Sequence, residues 1–563
     1  MPKCDIDKKI FSSLYKGDLD KDSLEDILPC AKAEWDGEES DKIKIEFNDT
    51  NRPDLWSAVG LARCLNSYNG KKIREYSFFS TKNNAQDFEK REFDILQSAP
   101  SSRPYSLGFG IYGKKVDDNI LKFLIQWQEK IHYNFGKKRK TISMGLYRFL
   151  DITFPVKYEG RNPEEISFVP LGETRAMNGY EVLENTEKGR EFASLLENEK
   201  TFPLLSDKNG KVLSMPPVIN SNDVGALKVG DSEIFVEVSG LYLKQVLLVL
   251  NMFACDMSDL GFKIRSIKVN FSSQTEFGKS IVVPYYFQSN VECKKADFDR
   301  VFGSDFDIKK APGALKKMGV NSTLKGKSVL IAVPPFYRND FLHPCDVVED
   351  VAIGIGLENL GTEPIKDWTI GRLSESESMN RKIKSIMVGL GYNEMIYNYL
   401  SSEKEYVENM LINPEDVVYI DNPMSENYRV VRPSIIPSLL KTESVSQSSV
   451  YPHQIFECGK ICIKDKNSTD GINTINSLGF LESSVDANFN KAVSVLNTLM
   501  YYLKKQYKIK KATDLRFIKG RCAKIYVDDK DVGIIGEISP FVLENWGVLT
   551  PCFASEINVD KLL

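Results

Sequence analysis

Histidine is almost missing from this sequence of 563 residues, where only His132, His343 and His453 occur. Three scattered imidazoles argue against His-rich metal chemistry and, more weakly, against a His-based triad. The ten cysteines form no Cys-x-x-Cys pair, and the nearest two, Cys458 and Cys462, have no histidine nearby. All ten read as reduced packing residues of an intracellular protein, with no zinc site expected. Positive charge is not in excess either, since the net charge is −4. A general polyanion binder would be clearly basic, so nucleic-acid contact must use local patches or a basic partner. Lys137-Lys-Arg-Lys140 is a candidate patch, although such a run is more simply a solvated loop.

Long apolar runs are also lacking. The most apolar stretch, Val246 to Cys255, is interrupted by Asn251 and is too short to span a bilayer. Met1-Pro-Lys-Cys-Asp-Ile-Asp7 has no apolar core of the kind a signal peptide needs. A soluble, cytoplasmic chain without membrane contact is expected. No phosphate-binding loop, nucleophile elbow, zinc-protease helix or dinucleotide fingerprint occurs. The glycine-spaced Gly533-Ile-Ile-Gly536 has no adjacent Lys or Arg to hold a phosphate.

What is present is an ordinary globular composition, with 42% hydrophobic and 27% charged residues, long enough for three to five domains. Near the start, the alternating Lys42-Ile-Lys-Ile-Glu-Phe47 predicts a strand. A helix over Leu55 to Leu65 comes next, with Asp54 as its N-cap. An apolar helix is expected over about 241–255 and an amphipathic one around Ser376–Leu390.

Two local patterns carry possible chemistry. In Asp340-Phe-Leu-His-Pro344-Cys-Asp346-Val-Val-Glu349-Asp350, Pro344 suits the first helical position. Asp346, Glu349 and Asp350 then share one face of one turn, with Asp340 in the loop before it. Four converging carboxylates repel unless a cation neutralises them, and oxygen-only ligands suit Mg²⁺ or Ca²⁺. The alternative is that the acids merely favour a helix N-terminus. In Phe202 to Pro217, Asn209-Gly210 signals a hairpin. A two-residue turn there pairs Lys208 with Lys211 and puts Leu205 opposite Ser214. The strand Glu233-Ile-Phe-Val-Glu-Val-Ser-Gly240 puts Phe235, Glu237 and Ser239 on one face. An acid and a hydroxyl there could line a polar pocket, or simply face solvent.

Several segments, in order, resemble one family. They are Glu46-Phe-Asn-Asp-Thr-Asn-Arg-Pro-Asp54 through Arg63, Ile166 to Leu171, Leu213-Ser-Met-Pro-Pro-Val-Ile-Asn-Ser221, and Pro334 to Gly356. Further along come Asp421 to Ser425, Val431 to Leu440, Ile455 to Gly459, Gly520 to Ala523 and Ile535 to Trp546. The set is similar to the beta subunit of phenylalanyl-tRNA synthetase of the archaeal and eukaryotic cytosolic type.

The resemblance implies an α+β multidomain fold in four parts. These are an N-terminal domain (1–85), a tRNA-binding aminoacyl-tRNA editing domain (86–270), a winged-helix-like domain (271–362) and a degenerate, catalytically inactive class II synthetase-like domain built on an antiparallel sheet (363–563). The chain stops before the C-terminal anticodon-binding module of bacterial beta subunits. An alpha subunit in an α2β2 tetramer would charge tRNA(Phe) with phenylalanine using ATP, and no DNA partner is implied. The family's Mg²⁺ site shared with alpha maps onto Asp340, Asp346, Glu349 and Asp350. Its editing pocket, which hydrolyses tyrosyl-tRNA(Phe), maps onto Leu205, Ser214, Glu237 and Ser239. Glu237 and Ser239 depart from the family's usual Asp and Thr, and Tyr147-Arg148 from a frequent His-Asp. Two other readings stay open: a scaffold that binds alpha and tRNA without editing, and a free-standing aminoacyl-tRNA hydrolase.

Overall fold

The computed structural model describes residues 2–79, 91–304, 306–361, 364 and 368–563. They divide into two compact units, Met1–Pro364 and Ile365–Leu563.

In the first unit, the alternation of Lys42–Phe47 buries Ile43, Ile45 and Phe47. This strand is the middle of a three-stranded antiparallel sheet with Lys3–Asp7 and Ala33–Glu39. The helix after it begins later than its sequence suggests, spanning Ala58–Tyr68, with Ser57 as N-cap accepting the Gly60 N–H at 2.9 Å. Asp54 does not cap it. Its carboxylate takes two donors from Arg52 at 2.8 Å each, and a charge-assisted fork outweighs a neutral N–H cap.

The centre of this unit is a four-stranded antiparallel sheet in the order Lys263–Arg265, Tyr105–Tyr112, Glu233–Gly240, Ile142–Arg148. The expected apolar helix forms over Leu243–Asp259 and packs across the two middle strands. Its buried Asp256 accepts from Ser57 Oγ at 2.7 Å and Trp127 Nε1 at 2.9 Å, and pairs with Arg63. That polar knot ties helix Ala58–Tyr68 to the central sheet's own helix. A mixed seven-stranded sheet contains the strands Phe202–Ser206 and Val212–Met215.

In the expected winged-helix-like segment, the described residues of 291–355 form three strands and three α-helices. Strands Val291–Lys294, Asn321–Lys325 and Val329–Val333 make an antiparallel sheet packed by helices Lys295–Phe302, Ala311–Lys317 and Pro344–Ile355.

The second unit holds a small three-stranded sheet and a seven-stranded one, the latter antiparallel except for one parallel edge pair between Asn393–Glu394 and His453–Lys464. Strand alternation sends Ile535 into one apolar core with helices Glu375–Gly389 and Phe489–Leu503. Ile534 goes into another with helix Ile436–Ser446. Arg432 is fully buried here and pairs with Glu457 through two bonds of 2.8 Å.

Candidate functional site

The strand Glu233–Gly240 runs between Tyr105–Tyr112 and Ile142–Arg148. Ser239 is opposite Ser106 and Ser143; Glu237 is opposite Gly108 and Gly145. Both neighbouring strands therefore carry a Ser-x-Gly pattern, Ser106-Leu-Gly108 and Ser143-Met-Gly145. The glycines are needed for space. A Cβ on Gly145 would overlap the Tyr147 hydroxyl, and one on Gly108 the Phe235 ring. The serines supply hydroxyls: Ser106 Oγ donates to Glu237 Oε1 at 2.6 Å, and the Ser143 and Ser239 hydroxyls bond each other at 2.9 Å.

Behind them lies Arg103, buried, donating to the Ser239 carbonyl at 2.9 Å, to Ser143 Oγ at 3.2 Å and to the Arg139 carbonyl. Tyr158, opposite Leu205, donates its hydroxyl to the Arg103 carbonyl at 2.8 Å. Glu237 is 1% exposed. Burial pushes its carboxyl up to about 7, against the pull of Ser106, Arg103, Ser239 and Tyr147.

The hairpin pairs Leu205 with Ser214, as the residue count suggests, but not by the suggested turn. Asp207 takes the Asn209 and Lys211 N–H groups, each at 2.9 Å, and its own N–H reaches the Lys211 carbonyl. The loop is thus longer than two residues. Lys208 does not face Lys211, and a bulge between Leu205 and Ser206 restores the register.

Ser214, Glu237, Ser143, Gly145 and Tyr147 line one cavity of about 390 Å³, with Pro216–Ile219 on another side. Of the four sequence-predicted pocket residues, Ser214 and Glu237 reach this cavity. Leu205 and Ser239 are fully buried behind it. Tyr147 lies in the wall, donating its hydroxyl to Ser214 Oγ at 2.8 Å and also meeting the Glu237 carboxyl. Its ring packs on Phe235 at 5.9 Å between centroids. His132 lines the same cavity, but its Nε2 accepts the Met144 N–H at 2.8 Å and burial lowers it to about 4. It is a neutral structural imidazole. Nor is the run at 137–140 wholly a solvated loop: Arg139 is buried, bonding the Pro217 and Val218 carbonyls at 3.1 and 2.9 Å.

The four carboxylates at 340–350 line one small cavity, but each already has a partner from the chain itself. Arg338, fully buried, holds Asp340 at 3.0 and 2.6 Å and Asp350 at 2.6 and 3.1 Å. Burial would raise the Asp340 carboxyl, but Arg338 and Arg52 bring it to about 2. Asp346 accepts the Leu342 and His343 N–H groups at 2.7 Å each, and Glu349 pairs with Lys32 at 2.7 Å. The repulsion is thus relieved by guanidinium, ammonium and N–H groups of the chain itself. Among the described residues no set of three or more His, Cys, Asp or Glu is placed to hold a metal. So arranged, these residues do not fit a Mg²⁺ cage.

Comparison with known proteins decides the family. Residues 361–559 match the phenylalanyl tRNA synthetase beta chain CLM domain, and residues 291–357 the tRNA synthetase B5 domain. The phenylalanine–tRNA ligase beta subunit of Borrelia hermsii (strain HS1 / DAH) is 44% identical over 567 residues, with all of both chains covered. The chain belongs to the phenylalanine–tRNA ligase beta-subunit family. A second beta subunit, from Borreliella burgdorferi (strain ZS7), is 44% identical over 568 residues with the same full coverage. A crystal structure of an N-terminal fragment of the phenylalanyl-tRNA synthetase beta subunit from Pyrococcus horikoshii is 31% identical. It covers 63% of this chain and 99% of its own, with a TM-score of 0.57. These full-length beta-subunit relatives are bacterial, so the archaeal and eukaryotic motif pattern does not mark the chain's source. Arg103, Ser106 and Ser143 bond the candidate site residues, and strand periodicity alone does not reach them. The repeated Ser-x-Gly triplet is the sequence signal that could have found the two serines.

Proposed function

We propose that this beta subunit works with an alpha subunit, as α2β2, to charge tRNA(Phe), and that the cavity at Glu237 removes tyrosine mischarged onto that tRNA. In this reading the synthetic site lies in alpha, where ATP and its Mg²⁺ counter-ion are used. Unit 365–563 is an inactive class II-like copy, and the first unit follows the archaeal pattern. The need is physical. An apolar pocket shaped for phenylalanine rejects an added hydroxyl only about 10²-fold, so a second site must read the phenol directly.

The observation that carries the proposal is a buried carboxyl and a serine hydroxyl already set around a phenol, that of Tyr147, in the wall of a cavity about 390 Å³ in volume. Such a cage accepts a hydrogen bond that tyrosine offers and phenylalanine lacks. Hydrolysis adds water to the ester carbonyl and breaks the acyl–oxygen bond to the terminal ribose, releasing tyrosine and free tRNA. His132 is locked as an acceptor for a backbone N–H, so this imidazole does not serve as the base.

The test is deacylation of tyrosyl-tRNA(Phe) by the assembled enzyme. Glu237→Ala removes a charge-assisted hydrogen bond of about 1.5–3 kcal/mol, a loss of roughly 10–150-fold. Equal rates with an active wild type would move phenol recognition elsewhere. No activity in either would favour the scaffold.

A further inference from the structure

The cage around Glu237 is not empty of phenol; the chain fills it with its own. Tyr147 is fully buried, and its hydroxyl donates to Ser214 Oγ at 2.8 Å and meets the Glu237 carboxyl. These two residues are the ones expected to read a substrate tyrosine. The ring lies back across Gly145, directly beside Glu237 in the strand register, because no side chain stands there. Tyr147 and Gly145 are two residues apart on one strand, so both face the cavity, whose wall they share with Ser214 and Glu237.

Resting on the editing reading above, we propose that Tyr147 is a resident competitor for the tyrosyl group, occupying the phenol subsite until the substrate side chain displaces it. Tyr147 is thus a specificity-determining residue. A phenol reaches Glu237 only by replacing another phenol, and a phenylalanyl group, which offers no hydroxyl to Ser214 or Glu237, cannot replace it at equal gain. The same device lowers the site's apparent affinity for tyrosine by the fraction of time the ring is away.

The side chain of Tyr147, cut at Cβ, is p-cresol, which is the probe. In Tyr147→Ala the vacated subsite should bind p-cresol, seen as a rise in the melting temperature of the full chain that the wild type does not show. In the assembled enzyme, Tyr147→Ala should raise kcat/KM for tyrosyl-tRNA(Phe) deacylation, mainly through KM. For an open state populated at roughly 0.1–10%, the gain is about 10- to 1,000-fold. Adding p-cresol should reverse the gain competitively. Tyr147→Phe keeps the ring but loses its anchor, and should gain about two- to tenfold. The proposal is overturned if Tyr147→Ala binds no p-cresol, or if kcat/KM is unchanged or lower in Tyr147→Ala and Tyr147→Phe. Should Tyr147→Ala bind p-cresol while neither it nor the wild type deacylates, the resident phenol stands and the editing reading fails.

Discussion

Glu237 shows how far one residue's surroundings can change its chemistry. Burial lifts its carboxyl from the ordinary 4.5 to about 7, so the folded chain keeps a proton that the unfolded chain releases at lower pH. Because the folded state binds more protons over that interval, stability from this group is full below the unfolded value. It is lost as pH rises through about 7. Glu237→Gln has no such proton to lose. In urea unfolding between about pH 5 and pH 7.5, the wild type should fall steadily relative to Glu237→Gln; parallel curves would mean an ordinary carboxyl.

The placement of Glu237 and Ser239 on one face was legible in the sequence, since strand alternation needs only periodicity. Their unequal access to the cavity was not, because that depends on Ser106, Ser143 and Arg103 arriving from other elements. The partners of the acid cluster were hidden for the same reason. The spacing of Asp346, Glu349 and Asp350 gives a helix face, but neutralisation comes from Arg338 and Lys32.

At the level of strands and helices, the hairpin is the clearest lesson. Counting from Asn209-Gly210 reaches the right pair, Leu205 with Ser214, because a longer turn and a bulge offset each other. The strand Ile142–Arg148 has a tighter constraint, a glycine that must stay bare under Tyr147. Gly145→Ala should cost about 1–3 kcal/mol by overpacking. In a Tyr147→Ala background most of that cost should vanish, and a double-mutant cycle with no coupling would place the ring elsewhere.

The loop before helix Pro344–Ile355 depends on Arg338 in a similar way. Arg338→Met leaves the carboxylates of Asp340 and Asp350 buried without their cation. The expected loss in urea unfolding is roughly 3–5 kcal/mol, and a change below about 1 kcal/mol would mean the pair is solvated.

For the whole chain, order of segments was more legible than arrangement. Motifs from Glu46 to Trp546 pointed to one family in sequence order, and full-length relatives at 44% identity place it there. The segment expected as an N-terminal domain (1–85) is joined to the rest of its unit, because Ser57 and Arg63 are tied to Asp256 far along the chain. Sequence separation hides such contacts, since no local periodicity records them.

The central claim is that tyrosine is charged by the alpha site and removed at Glu237 of this chain. The most direct measurement is accumulation of tyrosyl-tRNA(Phe) when the assembled enzyme is given tyrosine, ATP and tRNA(Phe). With the wild-type chain, tyrosyl-tRNA(Phe) should stay near background while ATP is consumed. With Glu237→Ala it should build up, at an unchanged rate of phenylalanine charging. Equal accumulation by the two enzymes would contradict the account.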